Sequence, residues 1–270
     1  MLEELKQCAI DAALLGGQIL KDGFGTVFKI SSKTGKNNLV TEFDNKSEEA
    51  IINLIKSRFP DHSILAEESG ASGSDDNEIK WVIDPLDGTV NFAHNLPIFS
   101  VSIAAVKGKD ILCGVVYHPM LDELFVAVKG QGATLNGKKI SPSKTNDLST
   151  AFLVTGFPYN VHENPGHCID HFVWVVQSGI PIRRLGSAAL DLAYVACGRF
   201  DGFWEINLNP WDVAAGVLIV REAGGTVTKY DGSDYLITND NILSSNGILH
   251  EQLIGTLQSC FLEFSSNNDN

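Results

Sequence analysis

The segment Asp84-Pro85-Leu86-Asp87-Gly88-Thr89 follows directly on the apolar run Trp81-Val82-Ile83. Two carboxylates three residues apart, with a proline fixing the turn between them, can converge on one point at a strand tip. Gly88 and Thr89 then offer backbone N–H groups to an oxyanion. Carboxylates brought together in this way repel, and each raises the other's pKa unless a cation lies between them. Hard oxygen donors in such a cluster favour Mg2+, Ca2+ or Mn2+ over zinc. Asp, Pro and Gly also dominate ordinary turns, so the motif by itself leaves an acidic turn without a ligand equally open.

Further acids stand at other element ends. Glu67-Glu68 follow the strand candidate at 64–66. Trp211-Asp212 open a helix, where the backbone dipole favours an anion. Asp44 lies near the start of another helix, just after Val40-Thr41. Each alone reads as a cap or a solvated face. Together they put acids at four separate element ends, which a metal site assembled from distant segments requires.

Competing chemistries fail on single residues. Pro85 stands where a haloacid-dehalogenase-type phosphatase has its nucleophilic aspartate. Ile30 occupies the place of the first glycine of a Walker A loop before Gly35-Lys36, and no GxSxG occurs. His162, His167, Cys168 and His171 crowd together but match no common zinc spacing. They read as a polar helix and its approach loop. His94 reads as a structural neighbour of the main motif, and Phe92 and Trp211 as core packing beside it.

Hydrophobic periodicity supplies the elements that must hold these residues. Helical spacing runs over 2–22 and 43–58, the second stopped by Pro60. A turn-rich stretch, 31–38, lies between them. Strand candidates at 64–66 and 81–83 flank a Gly/Ser/Asp loop at 70–77, and the second ends at Asp84. Three β-rich runs at 99–106, 111–117 and 123–128 read as an antiparallel meander, and Asn136-Gly137 signals a hairpin turn. Beyond the polar stretch 141–149 come strands at 151–155, 203–205, 226–229 and 242–245. Helices are expected at 187–197, 212–223 (closing on Gly224-Gly225) and 248–258, with a polar, frayed tail. Strands alternating with helix pairs suggest stacked layers of sheet and helix.

The chain has 270 residues with 20 basic and 33 acidic side chains, a formal net charge of −13. That length buries a sizeable core without disulfide or structural-metal staples. Five cysteines without a CxxC read as reduced thiols. No basic run exceeds Lys138-Lys139 or Arg183-Arg184, so no nucleic-acid partner is expected. No stretch is long and apolar enough to span a membrane, and the N-terminus carries acids where a signal peptide needs bases. A cytoplasmic protein is the expectation. So acidic a chain repels phosphate esters unless cations intervene.

The sequence resembles the inositol monophosphatases, within the lithium-sensitive, magnesium-dependent phosphatase superfamily. The likeness rests on Leu39-Val40-Thr41-Glu42-Phe43-Asp44, Ala66-Glu67-Glu68-Ser69, the stretch from Trp81 through Asp84-Pro85-Leu86-Asp87-Gly88-Thr89 to Phe92, and Gly186-Ser187-Ala188-Ala189. Trp211-Asp212-Val213-Ala214-Ala215-Gly216, followed by Glu222-Ala223-Gly224-Gly225, completes it. These segments come in the family's order over residues 5 to 257. Ala66 is a small departure where the family often has glycine.

The resemblance implies an α+β fold, a layered α-β-α-β-α sandwich. It implies an N-terminal half (1–145) with most metal ligands, and a C-terminal half (146–260) with Asp212 and the substrate-facing residues. The tail would be 261–270. Glu67, Asp84 and the carbonyl of Leu86 would hold one Mg2+. Asp84, Asp87 and Asp212 would hold a second, and a third, weaker ion would share Glu67. Thr89 with Asp44 would orient the attacking water. Gly88 and Thr89 would bind phosphate, and Ala188 and Glu205 the inositol hydroxyls, alongside Asp87 and Asp212. The implied activity is hydrolysis of inositol 1-phosphate, by a homodimer in most family members. Fructose 1,6-bisphosphate, 3′-phosphoadenosine 5′-phosphate and histidinol phosphate are the alternative substrates. A regulatory binding protein on the same fold is the alternative of another class, since some bacterial relatives partner with the transcription machinery.

Overall fold

The structure, a computed structural model, describes residues 1–32, 39–73 and 79–267. Among these the chain runs α1 (Leu2–Gly23), β1 (Ile30–Ser32), β2 (Leu39–Thr41), α2 (Glu42–Arg58), β3 (Ser63–Ala66), β4 (Gly70–Ser72), β5 (Lys80–Asp87), α3 (Thr89–Ala93), β6 (Ser100–Lys107), β7 (Asp110–His118), β8 (Glu123–Val128), β9 (Gly132–Leu135) and β10 (Lys138–Lys139). It continues with β11 (Leu153–Thr155), α4 (Cys168–Gln177), β12 (Ile182–Arg183), α5 (Ala188–Ala196), β13 (Gly202–Ile206), α6 (Pro210–Ala223), β14 (Thr226–Thr228), β15 (Asn241–Ser245) and α7 (His250–Asn267).

Eight strands form one sheet in the order β10-β9-β8-β7-β6-β5-β3-β4, and five form another in the order β12-β11-β13-β15-β14. Helices α1 and α2 cover one face of the large sheet. Helices α5 and α6 fill the space between the sheets, and α4 and α7 cover the far face of the small one. This is the layered α-β-α-β-α sandwich expected from the sequence.

Strand alternation explains why the central strands read as unbroken apolar runs. Successive side chains point to opposite faces, and here both faces are covered. Trp81, Ile83, Val101, Ile103 and Val115 join the core beneath α1 and α2. Val82, Ala104 and Val116 lie in the core built around α5 and α6. The small sheet does the same, with Val154, Phe203 and Ile242 inward and Leu153, Trp204 and Leu243 outward. Gly114 of β7 allows the inner layer to sit close. A Cβ there would lie 2.8 Å from the carbonyl oxygen of Ala215 and 2.9 Å from its Cα.

Several boundaries differ from the sequence reading. Strand β5 does not stop at Asp84 but continues through Pro85 to Asp87. Helix α6 opens at Pro210, two residues before Asp212. Helix α7 passes residue 258 and runs to Asn267, so the stretch expected as a frayed tail is helical as far as Asn267. Of the turn-rich stretch 31–38, residues 31 and 32 belong to β1, and 33–38 lie outside the described residues, as do 74–77 of the Gly/Ser/Asp loop. Among the described residues no helix is long and apolar enough to cross a membrane.

Candidate active site

Strands β3 and β5 run parallel, with Ala66 opposite Ile83. Glu67 and Asp84 therefore come next to one another where β3 ends, and the Glu67 N–H donates to the Ile83 carbonyl at 3.2 Å. In a regular strand, side chains three residues apart point to opposite faces. Strand β5 avoids this. Asp84 pairs with Ser102 of β6 and Asp87 with Ser100, so three steps on β5 match two on β6. The extra residue is a β-bulge, and it returns Asp87 to the face of Asp84, toward α5 and α6. A bulge is also where a strand tolerates Pro85.

The helices present their acids by one shared device. Asp44 and Asp212 are each the third residue of their helix, α2 and α6. Each accepts the backbone N–H of its N-cap residue, Thr41 at 2.7 Å and Asn209 at 2.6 Å. Both are capping boxes, which fix an acid at a helix start. Pro210 at the head of α6 suits a first-turn position that needs no N–H donor.

Hydrogen bonds lock the remaining groups. The Leu86 N–H donates to Asp84 Oδ1 at 3.0 Å. Ser187 Oγ and the Ala189 N–H donate to Asp87 Oδ2 at 2.7 and 2.8 Å. Thr89 Oγ1 lies 2.9 Å from Asp44 Oδ1 and 3.1 Å from the Leu86 carbonyl oxygen. Gly88 holds φ at 104°, and a Cβ there would stand 3.0 Å from the Ile98 carbonyl oxygen, so the turn into α3 requires glycine. Glu205, on β13, is buried with its carboxylate against Gly156, where a Cβ would collide with it.

The acids perturb one another strongly. Burial raises the Asp84 carboxyl well above the usual range, and Glu67, Asp87 and Asp212 raise it further. Asp87 is pushed up to about 6 by burial, against the pull of its Ser187 and Ala189 hydrogen bonds, with Glu67 adding to the rise. Asp212 is pushed up to about 8 by burial and then by Asp87. Glu205 reaches about 8 by burial, then by Asp212 and Asp87. Burial also raises Asp44, against its bonds from Thr41 and Thr89. Acids from four elements thus share one electrostatic neighbourhood, which a divalent cation would relieve.

The acids line the neighbourhood without closing into a cage. Among the described residues no three His, Cys, Asp or Glu side chains are disposed to enclose an ion by themselves. Mg2+ keeps several waters and takes few protein ligands, so its chemistry does not demand such a cage. Hard carboxylate oxygens beside the Leu86 carbonyl make a donor set that suits it.

The histidine-rich stretch stays apart from this chemistry. His167 Nδ1 lies 2.8 Å from Asp170, and the buried His171 ring packs edge-on against Tyr230, 5.3 Å between centroids. Phe92 is buried among the rings of Phe24, Phe28, Phe43 and Phe99 and acts as core. Trp211 packs half-buried against the inner core.

Three polar residues escaped the sequence reading. Glu48 and Ser47, on the α2 face that carries Asp44, bind backbone groups beside the acids. Asp191 sits buried inside α5 with Oδ1 unpartnered, raised by burial and then by Glu205 and Asp87. An acid within a run of small apolar residues was the available signal for it.

Four of the five layers lend an acid to one neighbourhood, a site that suits hydrolysis of a phosphate ester. The family model described as the inositol monophosphatase family matches residues 1–261, and the chain belongs to that family. It is 45% identical over 252 residues to an inositol-1-monophosphatase of Synechocystis sp., covering 93% of this chain and 88% of that one. It is 45% identical over 240 residues to the Nus factor SuhB of Escherichia coli, covering 88% and 90%. Its fold matches the inositol monophosphatase structure from Anabaena (Nostoc) sp. with a TM-score of 0.86 at 43% identity, covering 96% of each chain.

Proposed function

We propose that this phosphatase hydrolyses a small phosphate monoester with Mg2+, and that inositol 1-phosphate is its substrate. The observation that supports this most is the elevation of Asp84, Asp87 and Asp212, each raised first by burial and further by Glu67, with Asp87 also raising Asp84 and Asp212. Such a cluster gains most from divalent cations, and cations are what let an acidic chain accept a phosphate dianion. Glu67, Asp84 and the Leu86 carbonyl would hold one ion, Asp84, Asp87 and Asp212 a second, with a weaker third sharing Glu67. Bound Mg2+ would lower the pKa of water and offset the charge of the departing alkoxide.

The chain's own groups do the rest. Asp44, buried and hydrogen-bonded to Thr89 Oγ1, draws the hydroxyl proton toward itself. The oxygen of Thr89 is then free to accept a hydrogen bond from the attacking water and orient it. Backbone N–H groups at Gly88 and Thr89 hold the phosphate. Glu205 and the backbone of Ala188 face the alcohol, and a buried carboxyl such as Glu205 suits hydroxyls of a polyol. A homodimer in the cytoplasm is the assembly and location the resemblance suggests.

The test is phosphate release from inositol 1-phosphate, fructose 1,6-bisphosphate, 3′-phosphoadenosine 5′-phosphate and histidinol phosphate, with and without Mg2+, and with added Li+. Turnover that requires Mg2+ and favours the inositol ester supports the reading. No turnover of any ester by folded protein with Mg2+ would overturn it. The likeness to proteins named Nus factor favours a second, regulatory role on the same fold. Asp87→Asn should abolish hydrolysis and spare such a role.

A further inference from the structure

One face of α2 carries Asp44, Ser47 and Glu48 at the i, i+3, i+4 spacing of a helix stripe. The first two reach the turn that ends β5. Asp44 accepts from Thr89, and Ser47 Oγ donates to the Pro85 carbonyl at 3.0 Å. Glu48 reaches a different strand end. It is only 4% exposed, and its two oxygens accept two successive backbone amides, Oε2 from Glu68 at 2.9 Å and Oε1 from Ser69 at 2.8 Å.

These amides belong to the two residues that follow Glu67. On the other side, the Glu67 N–H is held by the Ile83 carbonyl of β5. The backbone around Glu67 is therefore fixed from both directions, by the sheet before it and by Glu48 after it. Two adjacent N–H donors call for an acceptor with two oxygens. A glutamine offers one oxygen and turns an NH2 group toward the other amide. Bonds to an ionised acceptor are also roughly twice as strong as neutral ones.

We propose that Glu48 is a positioning residue for the cation site: it holds the Glu68 and Ser69 amides so that the Glu67 carboxylate is presented toward Asp84. The inference rests on the metal-site reading given above. Glu48 touches no reacting group and acts only through backbone. With Asp44 and Ser47 it makes α2 a single strut that sets the end of β3 against the end of β5. Losing the strut at Glu48 frees one side of the site and leaves the Asp84–Asp87 side intact.

The experiment measures Mn2+ binding to the full-length protein by electron paramagnetic resonance, for the wild type, Glu48→Gln and Glu48→Ala. Thermal melts and steady-state kinetics against Mg2+ accompany it. Outer partners of metal ligands typically contribute about 10–100-fold in metal affinity, so Mn2+ should bind about tenfold more weakly in Glu48→Gln and up to about a hundredfold in Glu48→Ala. Raising Mg2+ should restore kcat, with little change in KM for the phosphate ester. Wild-type Mn2+ affinity in folded variants, with only the melting temperature lowered, would overturn the proposal and leave Glu48 a stability residue. The near-isosteric Gln variant decides the matter if the Ala variant does not fold. A wild type that binds no Mn2+ would overturn the cation-site reading itself.

Discussion

Replacing Asp87 with Asn should stabilise the metal-free protein near neutral pH while removing its activity. The folded-state pKa of Asp87 is about 6, against an ordinary 3.8. As pH rises past the ordinary value, the unfolded chain releases this proton first, and the folded state is penalised. The penalty grows until pH passes about 6 and is constant above that. A shift of roughly two units at 1.36 kcal/mol each gives about 3 kcal/mol. Asp87 is 9% exposed, so solvent screens little of this. Asn has no such penalty, and its amide oxygen can still accept from Ser187 and Ala189, which bond to Oδ2 now. For a chain of this size 1 kcal/mol corresponds to about 2–4 °C in Tm. Circular-dichroism melts in chelator should therefore show Asn above wild type by roughly 6–12 °C at about pH 8, with the gap closing as pH falls through about 4. Added Mg2+ should raise the wild-type Tm much more than that of the variant, and phosphate release by the variant should fall at least about a hundredfold. A variant less stable than wild type at both pH values, or one that keeps its turnover, would refute the account of a buried carboxylate relieved by a cation.

Thr89→Ala leaves the buried Asp44 Oδ1 without its donor, which should cost about 1–3 kcal/mol in a melt. It should also lower kcat by about 10²–10⁴, with Thr89→Ser recovering most of both. Protons compete with metal for Asp87 and Asp212, raised to about 6 and about 8. Calorimetric Mg2+ affinity should therefore climb as pH rises across that window and level off above it, and a flat profile would contradict the assignment. Gly114→Ala forces a methyl against the backbone of Ala215, three residues from Asp212 in α6, and should cost about 1–3 kcal/mol by denaturant titration and also weaken Mn2+ binding by the folded fraction.

The fold was legible where periodicity was strong. The long helices α1 and α2, the meander β6–β7–β8 and the hairpin at Asn136-Gly137 follow from apolar spacing and turn residues that act locally. The two-residue strands β10 and β12 and the three-residue β1 and β4 did not, because so few residues carry no period, and β12 is besides held by a partner far off in sequence, β11. The extent of β5 was missed for a related reason. Pro85 reads as a stop, and only the pairing to β6 shows that it occupies a bulge. Glu205, inside β13, came only from the family resemblance, whereas Asp44, Glu67, Asp84, Asp87 and Asp212 were legible because each stands at an element end. Glu48 was not, since a glutamate on an amphipathic helix reads as solvated face until its two backbone partners, 20 and 21 residues away, are seen. Asp191 shows the same limit from inside a helix.

The layers of this sandwich matter to the chemistry because four of the five contribute acids to one neighbourhood. Asp44 comes from the outer helix layer, Glu67, Asp84 and Asp87 from the large sheet and its edge, Asp212 from the inner helices, and Glu205 from the small sheet. Strand β5 supplies two of them, Asp84 and Asp87, and the rest come from other layers. Apolar contact between layers supplies the free energy that holds them together, through cores that back onto the two faces of β5, β6 and β7. It follows that the spacing of the acids is set by interlayer packing as much as by their own hydrogen bonds. A glycine such as Gly216, where a Cβ would stand 2.7 Å from the Leu192 side chain, fixes how closely α5 and α6 approach, and with it how near Asp87 is held to Asp212. The charge cluster and the packing are therefore one balance, and a change to either should be read in both metal affinity and stability.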